Sequence, residues 1–206
     1  MPDLGFIHRF IRASAPGLPA LLLLHGTGGD ENDLIPLGQA LSPGSALLSP
    51  RGKVLENGMP RFFRRLGPGQ FDLDDLKTRT AELADFIQSA REAYGIDRPV
   101  AVGFSNGANI AASLLLSRPE VLAGAILLRG MLAVEPAPMP ALNGKPVLLL
   151  SGASDTMISA AGRDRLVATL QQAGAALSYK ILPSGHNFTQ NDLTIATHWL
   201  KTALEP

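Results

Sequence analysis

The stretch Gly103-Phe104-Ser105-Asn106-Gly107 constrains this chain more than any other feature. Val100, Ala101 and Val102 lead straight into it, the short apolar run of a buried strand, and residues 108–116 after it form a good helix sequence. A serine between two glycines at such a junction sits on a sharp turn with a strained backbone. A side chain at either flanking position would collide with the neighbouring strand or helix. The G-x-S-x-G pattern alone arises readily by chance in a glycine-containing chain. Between a buried strand and a helix, however, it is the setting in which a serine hydroxyl is presented as a nucleophile.

The rest of the chain alternates short apolar runs with helical patterns. Residues 6–11 alternate around His8 and Arg9 like an edge strand, and residues 20–24 are continuously apolar, like a strand buried on both faces. Helices are expected over 31–41 (capped by Asp30 or Asn32), 72–94 (ended by Gly95), from the serine to 117 (ended by Pro119), 160–173 and 191–204. Further strands are expected over 46–49, 123–128, 147–151 and 177–182. Residues 51–70, rich in Gly, Pro and Arg, read as a long surface loop, and 131–140 as a proline-rich loop. This order predicts the α/β class, with a mostly parallel central sheet and helices on both faces. No repeat, low-complexity segment or linker interrupts it, so residues 1–206 read as a single domain with no room for a large lid domain.

Composition removes several classes of function. With 46% hydrophobic residues, 17% charged residues and a formal net charge of zero, the chain can bury a core and lacks the basic excess of a nucleic-acid binder. It has no cysteine, which rules out disulfides, thiolate nucleophiles and cysteine-ligated zinc. His8, His25, His186 and His198 show no metal-binding spacing, so no metal is expected. The start Met1-Pro2-Asp3-Leu4-Gly5 lacks the basic, then apolar, character of a signal peptide, and the apolar runs are too short to cross a bilayer. The expectation is a cytoplasmic protein with no stable membrane anchoring.

A serine hydroxyl needs a base within hydrogen-bond reach, and the base needs an orienting acid. Where the serine lies on such an elbow, the acid and then the histidine follow it in the chain. His186 lies in Ser184-Gly185-His186-Asn187, after an expected strand; His198 lies inside the last expected helix. Asp155 follows the 147–151 strand, whereas its competitor Asp164 falls within a helix. Loops at the carboxyl ends of strands form the crevice of an open α/β sheet. The expected set is therefore Ser105, Asp155 and His186. The oxyanion donors would be the backbone N–H of Asn106 and that of Thr27, in Leu24-His25-Gly26-Thr27-Gly28-Gly29. A phosphate-cradling loop is the competing reading there, but the G-K-[ST] ending is missing. His25 precedes the serine and reads as a residue that fixes this loop.

With these residues assembled, the chain resembles the phospholipase/carboxylesterase group of α/β-hydrolases, which includes the acyl-protein thioesterases. The likeness runs along nearly the whole chain. It rests on residues 24–31, the elbow at Ser105, Leu150-Ser151-Gly152 leading to Asp155, and Gly185-His186. Residues 57–65 (Asn-Gly-Met-Pro-Arg-Phe-Phe-Arg-Arg) and Leu128-Arg129-Gly130-Met131 are similar to segments of small bacterial carboxylesterases associated with hydroquinone resistance. The resemblance implies the α/β-hydrolase fold and a Ser-Asp-His esterase or thioesterase with no cofactor. Dienelactone hydrolases share that fold but use a cysteine, which this chain lacks.

The partner expected from this reading is a small-molecule ester in a shallow, open pocket; a homodimer is left open. Met59, Phe62, Phe63, Met131, Met157 and Phe188 are candidates for an apolar wall, although the two phenylalanines could equally anchor the 51–70 loop. Arg129 either recognises an anionic group or pairs with a local acid, while Arg61, Arg64 and Arg65 read as a solvated cluster. A thioesterase or lysophospholipase-type hydrolase would use the same machinery. A peptidase, or a non-catalytic binding protein on the same fold, remains the alternative outside that class.

Overall fold

A computed structural model describes residues 3–67 and 69–203. The chain opens with β1 (His8–Ile11), β2 (Leu21–Leu24), α1 (Ile35–Leu41) and β3 (Leu47–Pro50). Four short strands follow: β4 (Val54–Glu56), β5 (Met59–Arg61), β6 (Arg65–Gly67) and β7 (Gln70–Phe71). After them come α2 (Leu73–Tyr94), β8 (Val100–Phe104), α3 (Asn106–Ser117), β9 (Gly124–Leu128), β10 (Pro146–Gly152), α4 (Ala160–Gln172), β11 (Ala176–Leu182) and α5 (Gln190–Thr202).

The main sheet has seven strands in the order β1-β3-β2-β8-β9-β10-β11; β1 is antiparallel to β3 and the other pairs are parallel. Its central strands are apolar throughout because both faces are covered. Along β2, Leu22 and Leu24 point into the core under α2, α3 and α4, while Leu21 and Leu23 point into the core under α1 and α5. All four leucines are fully buried, each burial worth about 1.5–3 kcal/mol relative to exposure. On the second face Trp199 and Leu200 of α5 close the core.

Parallel pairing aligns the carboxyl ends of the strands. Leu24 pairs with Gly103, Phe104 with Leu128, and Gly152 with Leu182, so the loops after β2, β8, β9, β10 and β11 emerge along one edge. The direction of winding changes between β2 and β8, since β3 lies on the far side of β2 and β9 on the far side of β8. Ligand crevices of open α/β sheets form at such a switch point. Thr27 follows β2 and Ser105 follows β8, one on each side of it.

Two expectations change. Residues 51–70 are not an unstructured loop: β4 pairs with β5 and β6 with β7, giving two antiparallel hairpins. Their strands, two or three residues each, are too short to carry a readable alternation. The first helix starts at Ile35, not at residue 31, and has no side-chain cap. Pro36 stands in its first turn, and the proline ring clashes with the carbonyl four residues earlier, so the helix cannot extend back to 31. Asp72 does cap α2, and Gly95 closes it with a positive φ of 63°. The last expected helix is described as far as Thr202, and its expected end at Leu204 lies outside the described residues.

Candidate active site

Ser105 sits between β8 and α3 with φ 53° and ψ −112°, a conformation that is strained for a residue with a side chain. The flanking glycines allow it. A Cβ at Gly103 would lie 2.5 Å from the carbonyl oxygen of Gly107, and one at Gly107 would overlap the carbonyl of Leu24 on β2. The Ser105 N–H donates to the Leu128 carbonyl at 2.9 Å, which ties the turn to the end of β9.

The structure brings Ser105, His186 and Asp155 together. Ser105 Oγ lies 3.0 Å from His186 Nε2, and His186 Nδ1 lies 2.8 Å from Asp155 Oδ2. The second Asp155 oxygen accepts the N–H groups of Met157, at 2.9 Å, and Ile158, at 3.1 Å. The carboxylate is therefore held by its own loop and faces the imidazole with one oxygen. Phe104 packs against the His186 ring at 5.3 Å between centroids. The rejected alternatives stand apart: Asp164 is exposed on α4 and His198 is exposed on α5.

Thr27 and Asn106 face the same cleft as Ser105. Among the described residues their backbone N–H groups have no acceptor, whereas those of Gly28 and Gly29 donate to Pro60 and Gly26. His25 secures this loop. Its ring joins the Gly26 carbonyl through Nδ1, at 2.6 Å, and the Gly52 N–H donates to Nε2 at 3.0 Å. An imidazole that accepts at Nε2 is neutral, and burial pushes its pKa below the ordinary value despite the Gly26 carbonyl and nearby acids.

The cleft is small, about 60 Å³, with Phe71, Met131, Met157 and Ile158 as its apolar lining. Four of the six expected wall residues do not line it, and neither does Arg129. Phe62 and Phe63 are buried, packed against His25 and Phe71, and anchor the hairpin segment to the body. Met59 stands over Gly28, and Phe188 is partly exposed. Arg129 is fully buried: it pairs with both oxygens of Asp192 at 2.7 and 2.8 Å and donates to the carbonyls of Leu150, Gly185 and Asn187. It therefore holds the His186 loop and takes no part in lining the Ser105 cleft. A larger hollow of about 460 Å³ lies between α2, α3 and residues 134–140, but it shares no residue with the Ser105 cleft.

Three contributors were missed. Asp192 had a local signal, the Thr189-x-x-Asp192 capping box, which forms as that pattern implies. Asn109 holds the Met131 N–H through Oδ1 at 2.9 Å, and nothing in the sequence singles it out. Arg61 was read as solvated, yet its side chain is only 3% exposed and its Nη1 donates to Thr27 Oγ1 at 2.7 Å. Arg64, by contrast, is 61% exposed, as expected of a solvated cluster.

The phospholipase/carboxylesterase family pattern matches residues 8–204. The chain belongs to this family. MhqD of Bacillus subtilis (strain 168), a protein designated a hydrolase, is 46% identical over 186 residues, 89% of this chain and 93% of that one. A Bacillus cereus carboxylesterase of known crystal structure is 42% identical with a TM-score of 0.93, covering 97% of this chain and 95% of that one. A Mesorhizobium loti carboxylesterase is 33% identical with a TM-score of 0.92, covering 98% and 97%. The fold is that of an α/β-hydrolase, and the family member described here is an ester-hydrolysing enzyme. Among the described residues no helix is long and apolar enough to cross a membrane, and no cluster of acids and histidines is arranged to hold a metal ion.

Proposed function

We propose that this enzyme is a serine carboxylesterase acting on small carboxylic esters through Ser105, His186 and Asp155. The observation that carries this reading is the pair of hydrogen bonds centred on His186, 3.0 Å to Ser105 Oγ and 2.8 Å to Asp155 Oδ2. With the Nδ1 proton directed at Asp155, Nε2 is free to accept the serine proton. As Ser105 Oγ attacks the ester carbonyl, its proton passes to Nε2, and the oxyanion meets the N–H groups of Asn106 and Thr27. The imidazolium then returns its proton to the departing alkoxide, and the acyl group stays on Ser105. Water repeats the sequence through His186 and releases the acid. Asp155 stays ionised, holds the tautomer and stabilises the imidazolium. Each step uses only side chains, backbone N–H groups and water, and the small cleft supports short acyl groups over long ones.

A fluorophosphonate probe followed by intact mass measurement tests the reading. One adduct on the wild type, absent from Ser105→Ala, is expected, together with loss of about 10³-fold or more in p-nitrophenyl acetate turnover. An unlabelled wild type, or equal labelling of the variant, overturns it. A panel of p-nitrophenyl esters and acyl-thioesters of rising chain length then ranks leaving group and acyl length.

A further inference from the structure

The polar lining of the Ser105 cleft is unbalanced. Arg61, on β5, has three contacts: Nη1 to Thr27 Oγ1, Nε to the Phe63 carbonyl at 3.2 Å, and Nε to Glu56 at 3.2 Å. Among the described residues its Nη2 makes no hydrogen bond. Glu56 is shared with Arg65, which also lines the cleft and approaches it at 2.7 Å. One carboxylate thus faces two guanidinium groups, leaving one positive charge over at the cleft wall. Asn109 accepts through Oδ1, and its Nδ2 makes no hydrogen bond among the described residues. The Arg61 side chain is only 3% exposed and that of Arg65 34%, so an anion entering the cleft would meet a positive charge held mostly out of water at Arg61.

We infer that the cleft takes esters whose acyl part ends in a carboxylate, with Arg61 as the residue that holds it and Arg65 adding charge. This rests on the reading of Ser105 as the nucleophile. The guanidinium fork matches a carboxylate in geometry, and it is bonded to Thr27 in the same cleft as Ser105. Phe71, Met131, Met157 and Ile158 give the same cleft an apolar lining for a short carbon chain. A volume of about 60 Å³ marks a small cleft that favours a short chain over a long one. A short dicarboxylic acid esterified at one end fits that description.

Binding to the Ser105→Ala protein, followed by calorimetry, tests the inference apart from turnover. Methyl hydrogen succinate should bind about tenfold or more tightly than methyl levulinate, a neutral ester of the same length, and added salt should narrow the gap. Arg61→Met should abolish the preference and Arg61→Lys should keep part of it. Equal affinity of Ser105→Ala for the two esters overturns the inference, and this comparison stands even if no Arg61 variant folds. Tighter binding of methyl 3-phosphonopropanoate than of the half-ester also overturns it, in favour of a phosphate-type anion. Turnover of both esters by the wild type without discrimination removes the inference and leaves the Ser105 reading intact. Discrimination in binding with no turnover of either does the reverse.

Discussion

Two arginines are buried along the same edge of the sheet, where the strands' carboxyl ends meet, and differ in how their charge is met. Arg129, at the end of β9, is saturated: Asp192 takes it bidentately, and carbonyls and the Ser184 hydroxyl take its remaining donors. Arg61, on β5, shares a single carboxylate with Arg65 and keeps one nitrogen without a partner among the described residues. Saturation marks architecture, since a fully paired guanidinium has nothing left to offer a ligand. Incomplete pairing at a cleft wall marks a place where a ligand completes the set. Residue type and burial are the same in both, so the counter-charge carries the distinction.

The comparison can be broken first at Arg129. Arg129→Met leaves Asp192 buried without its partner, so unfolding should become easier by about 3–5 kcal/mol. In a chain of this length the melting temperature should fall by about 6–20 °C. A drop of only a degree or two would mean that Arg129 is not the committed partner described above.

The same pair should show in acid. Burial opposes ionisation of Asp192, but the hydrogen bonds from Arg129 and Thr189 outweigh it and hold the carboxyl below its ordinary value. A lowered folded pKa makes this contribution complete above about pH 4 and lost as the pH falls through the lower folded value. Urea midpoints measured from pH 5 to pH 2 should decline in the wild type and decline less in Asp192→Asn. His25 acts at milder pH by the same sign: its folded pKa is lowered, so its contribution is complete above about pH 6.5 and falls as the unfolded chain takes up the proton first. A His25→Asn variant should flatten urea midpoints between pH 7 and pH 5.

Arg61→Met should cost far less stability than Arg129→Met, about 1–2 kcal/mol for its bonds to Thr27 and Phe63. Relief from Arg65 offsets part of that loss. A cost as large as that at Arg129 would make Arg61 a structural residue as well and dissolve the contrast. Arg64→Ala supplies the lower bound. Its ion pairs with Asp72 and Asp75 are made by a largely exposed side chain, so chemical denaturation should register under about 0.5 kcal/mol.

Much of this edge was legible because its clues are local. The elbow needs only five consecutive residues and their flanks. Asp155 and His186 were separable from Asp164 and His198 because each of the first two follows a strand and each of the second two lies within a helix. The hairpin segment was not legible: β4 to β7 are too short for a period, and composition made Arg61 look like Arg64. Phe62 and Phe63 had two readings of equal weight, and packing against His25 and Phe71 chose the anchoring one.

From the sequence alone came the alternation of elements, the strained serine turn and the chain order of the three polar residues around it. Those depend on neighbours in the chain, where glycine, periodicity and element ends act directly. The tertiary structure alone decided the charge balance and the volume of the cleft. Arg129 meets an acid 63 residues away and Arg61 a hydroxyl 34 residues away, across elements that only the packed sheet brings together. Burial makes a charge depend on whatever surrounds it in space, and no run of adjacent residues records that.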